Sequence, residues 1–321
     1  MGPAVQASER TQTAMRSERA VAASAPESNA SVIIPCRNAA GTIAAAVRTA
    51  LTQSLPPLEV LVIDDESTDD SSAVATAAGA RVIRCERRRN AGGARNLGMA
   101  QASGDLIAFL DADVEIDAQW LARAVAVFRS DGSVAAVGGR IINGRPGRFG
   151  DLDLYLNHSE WISGTGRWCT TFPTMAVVYR RDAIGPARFP ETNYGEDTFF
   201  AHAVRARGGR IWFDPAIRIV HMHERLDART FWSRQIDAGR QLYLTRRALK
   251  LPGKVLYRAP MLLALYPHLW IVLYRMLRRG MVVKALKLFP WLAAGETARI
   301  VGFLRARRES QRDIVMRPEG V

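Results

Sequence analysis

Four short strand-like runs early in the chain, apolar at residues 31–35, 58–63 and 106–110 and flanked by arginines at 81–84, alternate with segments of helical character. Runs of this length read as strands buried on both faces, the condition of a parallel sheet covered by helices. Between the first two, Ile43, Val47 and Leu51 mark one face of a helix over 40–52, and Pro56-Pro57 breaks the chain after it. Ser67-Thr68-Asp69-Asp70 is a helix-start signal, and a third helix is expected over 92–102. Strand and helix alternating in this way predict a doubly wound, mostly parallel α/β sheet.

The fourth run ends in Asp111-Ala112-Asp113. Alternation along an extended chain points the two carboxylates to one side, and in open α/β sheets ligands bind at the strand ends. Two such acids suit a hard cation, Mg²⁺ or Mn²⁺, shared with a phosphate ligand, while the plainer reading is a pair of solvated loop acids. Asp64-Asp65-Glu66-Ser67 ends the second run on the same sheet edge, where an acid can accept from a nucleotide base or ribose or simply cap a helix. Residues 87–96 carry three arginines and then Gly92-Gly93 entering a helix, with Arg95 placed to reach a phosphate or a base. Glu196-Asp197 opens a later helix, either as acids complementing its dipole or as a general base. His221 and His223 share one side of an extended segment, and their imidazoles suit Mn²⁺ better than Mg²⁺.

Past Asp117 the pattern predicts a helix to about residue 129, a strand over 134–138, another over 175–179, a helix over 195–207 and strand pieces at 211–213 and 217–223. From 139 to 169, Gly, Arg, Trp and Tyr dominate, and this stretch is expected to form binding loops rather than core.

Taken in order, Pro35-Cys36-Arg37-Asn38, Asp64-Asp65, Gly93-Ala94-Arg95-Asn96, Asp111-Ala112-Asp113, Gly195-Glu196-Asp197 and His221 resemble glycosyltransferase family 2, the GT-A nucleotide-diphospho-sugar transferases, over residues 31 to about 247. The resemblance implies a GT-A fold and an inverting, metal-dependent transfer from a nucleotide-diphospho-sugar donor to a glycan or lipid-linked acceptor, in cell-envelope or exopolysaccharide synthesis. By the same similarity Pro35, Arg37 and Asp65 line the nucleoside pocket and Arg95 steadies the nucleotide. Asp111 and Asp113 hold the donor and its Mn²⁺ or Mg²⁺, Asp113 most directly, with His221 as a late metal contact. Asp197 is the implied base, with Glu196 beside it, and residues 231–240 are implied to close over the diphosphate. The Q-x-x-R-W signature of processive polymerases is absent, Gly239 standing where the Trp would be, which argues against polymer synthesis. Glu66 also departs from the pattern, since Gly or Asn is common there. A nucleotide-sugar-binding partner without catalysis is the alternative, and the presence of Asp197 weighs against it.

Charge divides the chain. Residues 225–321 hold 20 Lys/Arg against 6 Asp/Glu, whereas the remainder is near neutral at −1. Within the basic third, residues 261–274 are mostly apolar but shorter than the roughly 20 residues of a membrane span, and Pro267 interrupts them. Cationic flanks with aliphatic rather than stacking residues between them suit an anionic membrane surface and not nucleic acid, with a true span or helices packed on the enzyme core as the alternatives. Three cysteines without paired spacing, and an N-terminus without an apolar signal region, fit a protein on the cytoplasmic side, peripheral to the inner face of the plasma membrane. The expected organisation is a disordered tail over 1–29, a GT-A domain over 30–247 and a basic, partly apolar helical extension over 248–321.

Overall fold

A computed structural model describes residues 28–191, 195–222, 227–250 and 266–315. The expected tail up to residue 27, His223 and the start of the apolar run at 261–265 lie outside the described residues. The elements follow in order: β1 (Ser28–Cys36), α1 (Ile43–Leu51), β2 (Pro57–Asp64), α2 (Ser71–Ala77), β3 (Arg81–Arg84), α3 (Asn90–Gln101), β4 (Leu106–Leu110), β5 (Val114–Ile116), α4 (Trp120–Ser130) and β6 (Val134–Asn143). Then come α5 (Arg148–His158), β7 (Arg167–Cys169), β8 (Ala176–Arg180), α6 (Arg181–Ile184), α7 (Glu196–Ala206), β9 (Arg210–His221), α8 (Ala228–Ala248), α9 (Pro267–Arg278) and α10 (Val282–Val315).

The nine strands form one sheet in the order β3-β2-β1-β4-β8-β6-β9-β5, with β7 paired to β9. The half from β3 to β4 is wholly parallel, built from the four strand-like runs, and residues 60–63 of β2 and 107–110 of β4 are buried, as strands covered on both faces must be. Its register sets the site. Cys36 pairs with Asp64 and Ile33 with Phe109, so the C-terminal ends of β1, β2 and β4 come out on one edge. The other half is mixed: β8 runs antiparallel to both β4 and β6, and β5 antiparallel to β9. Beneath the edge, Phe189 stacks on Phe200 at 4.0 Å between ring centres and Phe109 meets both edge-on, a rigid floor of buried aromatics.

Three expectations are corrected. Residues 139–169 are not simply loops: β6 runs on to Asn143, and α5 and β7 follow. Leu152, Tyr155 and Leu156 of α5 lie at helical spacing and are buried against α9 and α10, a pattern hidden among the surrounding Gly, Arg and Trp. The two strand pieces after residue 210 are one strand, β9, whose pairing with β6 shifts register between Gly139 and Arg140. Leu51, assigned to the buried face of α1, is exposed, while Ile43 and Val47 are fully buried.

The described part of the basic extension packs on the sheet domain. α9 and α10 bury Leu269, Val272, Met276 and Leu292 against α5 and Phe231 of α8. Pro267 does not interrupt a helix; it occupies the first turn of α9, where its missing N–H leaves nothing unpaired. α8 and α10 approach most closely through glycine. A Cβ at Gly239 would stand 1.9 Å from Arg299 O, and one at Gly302 1.9 Å from Ile236 O. No side chain fits at 239, let alone a Trp. Next to this crossing, Arg299 Nε donates to Gln235 Oε1 at 2.8 Å and its Nη2 donates to Asn157. Gly239→Ala is therefore expected to destabilise the protein by about 1–3 kcal/mol through overpacking, read as a lower Tm. An unchanged Tm would mean the two backbones are not in contact.

Candidate functional site

Where the ends of β1, β2 and β4 meet, a cavity of about 700 Å³ opens, within the range of small-ligand pockets. Pro35, Arg37, Asp65, Arg95, Asp111, Asp113 and Glu196 all line it, so seven of the sequence-predicted residues converge although they lie as far apart as 161 positions. Asp65 does more than face a ligand. Its two oxygens accept from the backbone N–H groups of Arg89 (2.6 Å) and Asn90 (3.0 Å), tying β2 to the start of α3, and Arg37 Nη1 donates to its carbonyl at 2.9 Å. Around it Asn38, Glu66 and Asn90 take left-handed φ values of 50°, 57° and 60°. Glu66 thus occupies a backbone conformation that Gly or Asn adopts at less strain, which accounts physically for its being a departure from the usual residue. Strain gathered at three positions around one pocket is typical of a ligand site.

Arg95, though part of the cavity wall, is engaged by the protein's own acids. Its guanidinium is buried and donates from Nη2 to Asp111 Oδ1 at 2.7 Å, and its Nη1 lies 3.3 Å from Glu196 Oε1. Burial opposes its charge, but Asp111 and Glu196 override burial and raise its pKa. It is a brace between the end of β4 and the start of α7, and the other cationic groups on the cavity wall are Arg37, Arg88 and, on α8, Arg234, whose Nη1 lies 3.8 Å from Asp153 Oδ1. Gly195 caps α7 at φ 57°, and a Cβ there would meet Thr245 Oγ1 at 2.1 Å. That turn sets Glu196 and Asp197 at the helix start. Glu196 lines the cavity and Asp197 is not among its lining residues. Burial first, then the adjoining Glu196 carboxylate, push the Asp197 carboxyl up to about 6, against hydrogen bonds from Thr198 and the charge of Arg95.

The second acid of the pair belongs to a different constellation. β5 pairs with β9 so that Val114 faces His221, which brings the preceding residue, Asp113, beside that histidine. Asp113 Oδ2 lies 3.2 Å from His221 Nε2, close to the separation of two neighbouring ligands on one ion with bonds of about 2.1 Å. α5 adds Asp153 and His158, whose ligand atoms and that of His221 lie within 4.8 Å of one another. A carboxylate and imidazoles at these spacings fit a divalent cation of the Mn²⁺ type. Sequence reasoning missed Asp153, His158 and Thr230. The first two were hidden by reading 139–169 as loops, and Thr230 falls one residue before the 231–240 segment, of which Arg234 lines the cavity together with Arg88 of the 87–89 run. Cys36, Cys85 and Cys169 are free thiols.

Comparison with known proteins gives this geometry a context. The sequence model for Glycosyl transferase family 2 matches residues 31–185. The succinoglycan biosynthesis protein ExoO of Rhizobium meliloti is 30% identical over 237 residues, covering 68% of each chain. An Escherichia coli UDP-Glc:alpha-D-GlcNAc-diphosphoundecaprenol beta-1,3-glucosyltransferase, WfgD, is 31% identical over 166 residues, 50% of this chain and 63% of that one. Among solved structures, the mannosyltransferase PcManGT of Pyrobaculum calidifontis, in complex with GDP-Man and Mn²⁺, superposes with a TM-score of 0.60 at 19% identity, covering 87% of each chain. S. aureus TarS 1-349 gives a TM-score of 0.50 at 18% identity over 88% of this chain and 91% of that one.

Proposed function

The chain belongs to glycosyltransferase family 2 and is a glycosyltransferase, and from that premise we propose that it moves a sugar from a nucleotide-diphospho-sugar to an acceptor hydroxyl by one inverting displacement. The observation carrying this reading is that acids from β2, β4 and α7 open into one cavity whose remaining charges are arginines. Bound between Asp113 and His221, Mn²⁺ or Mg²⁺ would supply Lewis-acid neutralisation of the leaving diphosphate. Arg37, Arg88 and Arg234 hold and orient the diphosphate, and Asp65 with the loop from Pro35 bounds the nucleoside. Arg95 fixes Asp111 and Glu196 so that the donor side and the acceptor side keep their separation. Asp197, with a carboxyl pKa of about 6, takes the proton of the acceptor hydroxyl as it attacks the anomeric carbon from the face opposite the leaving group. Glu196 is the second candidate for this role, because it lines the cavity, although its Oε1 is engaged with Arg95.

The likeness to ExoO and WfgD supports a glycan or lipid-linked acceptor in exopolysaccharide or cell-envelope synthesis. Among the described residues no helix is long and apolar enough to cross a membrane, and we propose peripheral attachment at the inner face of the plasma membrane. Release of nucleoside diphosphate from a panel of UDP-, GDP- and TDP-sugars, with Mn²⁺ and after chelation, tests the function. One donor is expected to turn over in a metal-dependent way; no release from any donor would overturn the reading.

A further inference from the structure

Of the large apolar side chains exposed among the described residues, eight lie on one hairpin: Trp270, Ile271, Tyr274 and Leu277 on α9, and Val282, Val283, Leu286 and Phe289 on the first turns of α10. Only four others are found over the rest of the described surface. Leu286 is 71% exposed and Val283 65%, values that a packed helix would not leave in water without a partner. Between the two helices six of these residues, all but Ile271 and Val283, line an apolar groove of about 300 Å³ together with Leu273 and Ala285. The hairpin's own charge is of one sign, since α9 and the first turns of α10 bear no acid: Arg278 and Lys287 are exposed beside this face, while Arg275 and Lys284 turn inward to Glu160 and to Asp151 of α5. Apolar and aromatic side chains on one face, flanked by free cations, are the chemistry of a helix that lies in the headgroup region of an anionic bilayer.

We propose that this face of the α9–α10 hairpin docks on an anionic lipid surface, and that it thereby presents the transfer site to acceptors anchored in lipid. The proposal rests on the reading of the chain as a glycosyltransferase. Its second half follows from α5, a helix shared by two structures. One side of α5 packs Leu152, Tyr155 and Leu156 against the hairpin, and another carries Asp153 and His158 to His221 and, through it, to Asp113. The cation-binding residues therefore stand about one helix diameter, roughly 10 Å, from the docking hairpin. The connection is rigid, because Arg275 donates to Ser159 Oγ at 3.0 Å and Arg279 to Ser159 O at 3.0 Å, joining α9 to the end of α5. An acceptor whose sugar projects a short way from a lipid headgroup meets the site from that side; a free oligosaccharide gains nothing from the hairpin.

The test is flotation of the full chain with phosphatidylcholine vesicles, with and without phosphatidylglycerol, for the wild type, the pair Val283→Asp with Leu286→Asp, and Leu58→Asp as a control at an exposed apolar residue of β2. Wild type and Leu58→Asp are expected to float with the anionic vesicles and to be released by salt, and the pair to lose binding about tenfold or more. The pair, with an unchanged circular dichroism melt, is expected to keep donor hydrolysis in solution and to lose transfer to an acceptor held in vesicles. Failure of the wild type to float, or equal flotation of the pair, overturns the docking surface. So does light scattering that shows a dimer which the pair dissociates, because the face then belongs to a second copy. Absence of donor turnover in every form, with flotation still lost in the pair, leaves the docking surface standing and overturns the transferase reading instead.

Discussion

Asp197→Asn is expected to lower transfer by about 10²–10⁴-fold while leaving donor binding close to that of the wild type. The substitution keeps the shape of the side chain and its acceptor oxygen, which takes the Thr198 N–H at 2.7 Å at the start of α7. What it removes is a group able to take a proton. Because burial and Glu196 hold the carboxyl at about 6, the wild-type rate should climb as pH rises through 6 and then level, as the deprotonated fraction does. Stability should move the other way. The unfolded carboxyl gives up its proton near 3.8 and the folded one near 6, so between those values the unfolded state binds fewer protons and stability falls as pH rises. The Asn variant escapes that loss and should be more stable than the wild type at pH 8, by up to about 3 kcal/mol, with the difference vanishing near pH 3. An inactive but more stable protein cannot be explained by misfolding. Glu196→Gln is the paired measurement: if it abolishes transfer and the alkaline plateau survives in Asp197→Asn, the base is Glu196.

The parallel half of the sheet was legible because burial on both faces leaves an unmistakable trace. The β1, β2 and β4 runs are apolar at nearly every position, and the breaks between them carry Pro, Gly or capping residues. The mixed half was legible only in part. β5 has three residues and is held by its antiparallel partner β9, a pairing 105 residues distant that no local pattern announces. α5 was lost for a different reason. Its buried face looks towards α9 and α10, far along the chain, and in isolation the segment shows mixed polarity with Gly150 in its first turn. The extension was read for its charge and its apolar content, and the apolar content proved to occupy two opposite faces of one hairpin: Leu269, Val272 and Met276 turned inward, Trp270, Ile271 and Tyr274 outward.

The site shows the same division between what spacing can tell and what only packing can. Asp111, Asp113 and Glu196, singled out by their position at strand and helix ends, all line one cavity. Arg95 was expected at the nucleotide because arginine after paired glycines suits a phosphate. In the structure the glycines let α3 pack tightly, a Cβ on Gly92 standing 2.8 Å from Pro190 O, and Arg95 lies in the cavity wall against Asp111 and Glu196. Sequence identifies a cation near two acids; it does not say whether the acids or a ligand satisfy it. Asp153 and His158 carried a signal of their own, an acid and a histidine five positions apart, but it gains meaning only when β9 sets His221 beside them.

Asp113→Ala is expected to abolish metal-dependent donor binding without harming the fold. The side chain is about one-third exposed, so truncation opens no core cavity, and the turn it occupies is held by backbone, the Met222 N–H donating to Asp113 O at 2.7 Å. Titration calorimetry of the nucleotide-sugar should show Mn²⁺ strengthening binding to the wild type and having no effect on the variant, a difference of about 10²-fold or more if the carboxylate is a direct ligand. Asp111→Asn separates the two acids of the motif. Asp111 is the stronger partner of the buried Arg95 guanidinium, so its neutralisation should lower Tm as well as affinity, since a buried charge loses part of its compensation. A variant pair in which loss at Asp113 spares Tm and loss at Asp111 does not would assign Asp111 to structure and Asp113 to the cation. Retained Mn²⁺ dependence in Asp113→Ala would move the ion away from β5 and towards the histidines, and with it the proposed position of the donor diphosphate.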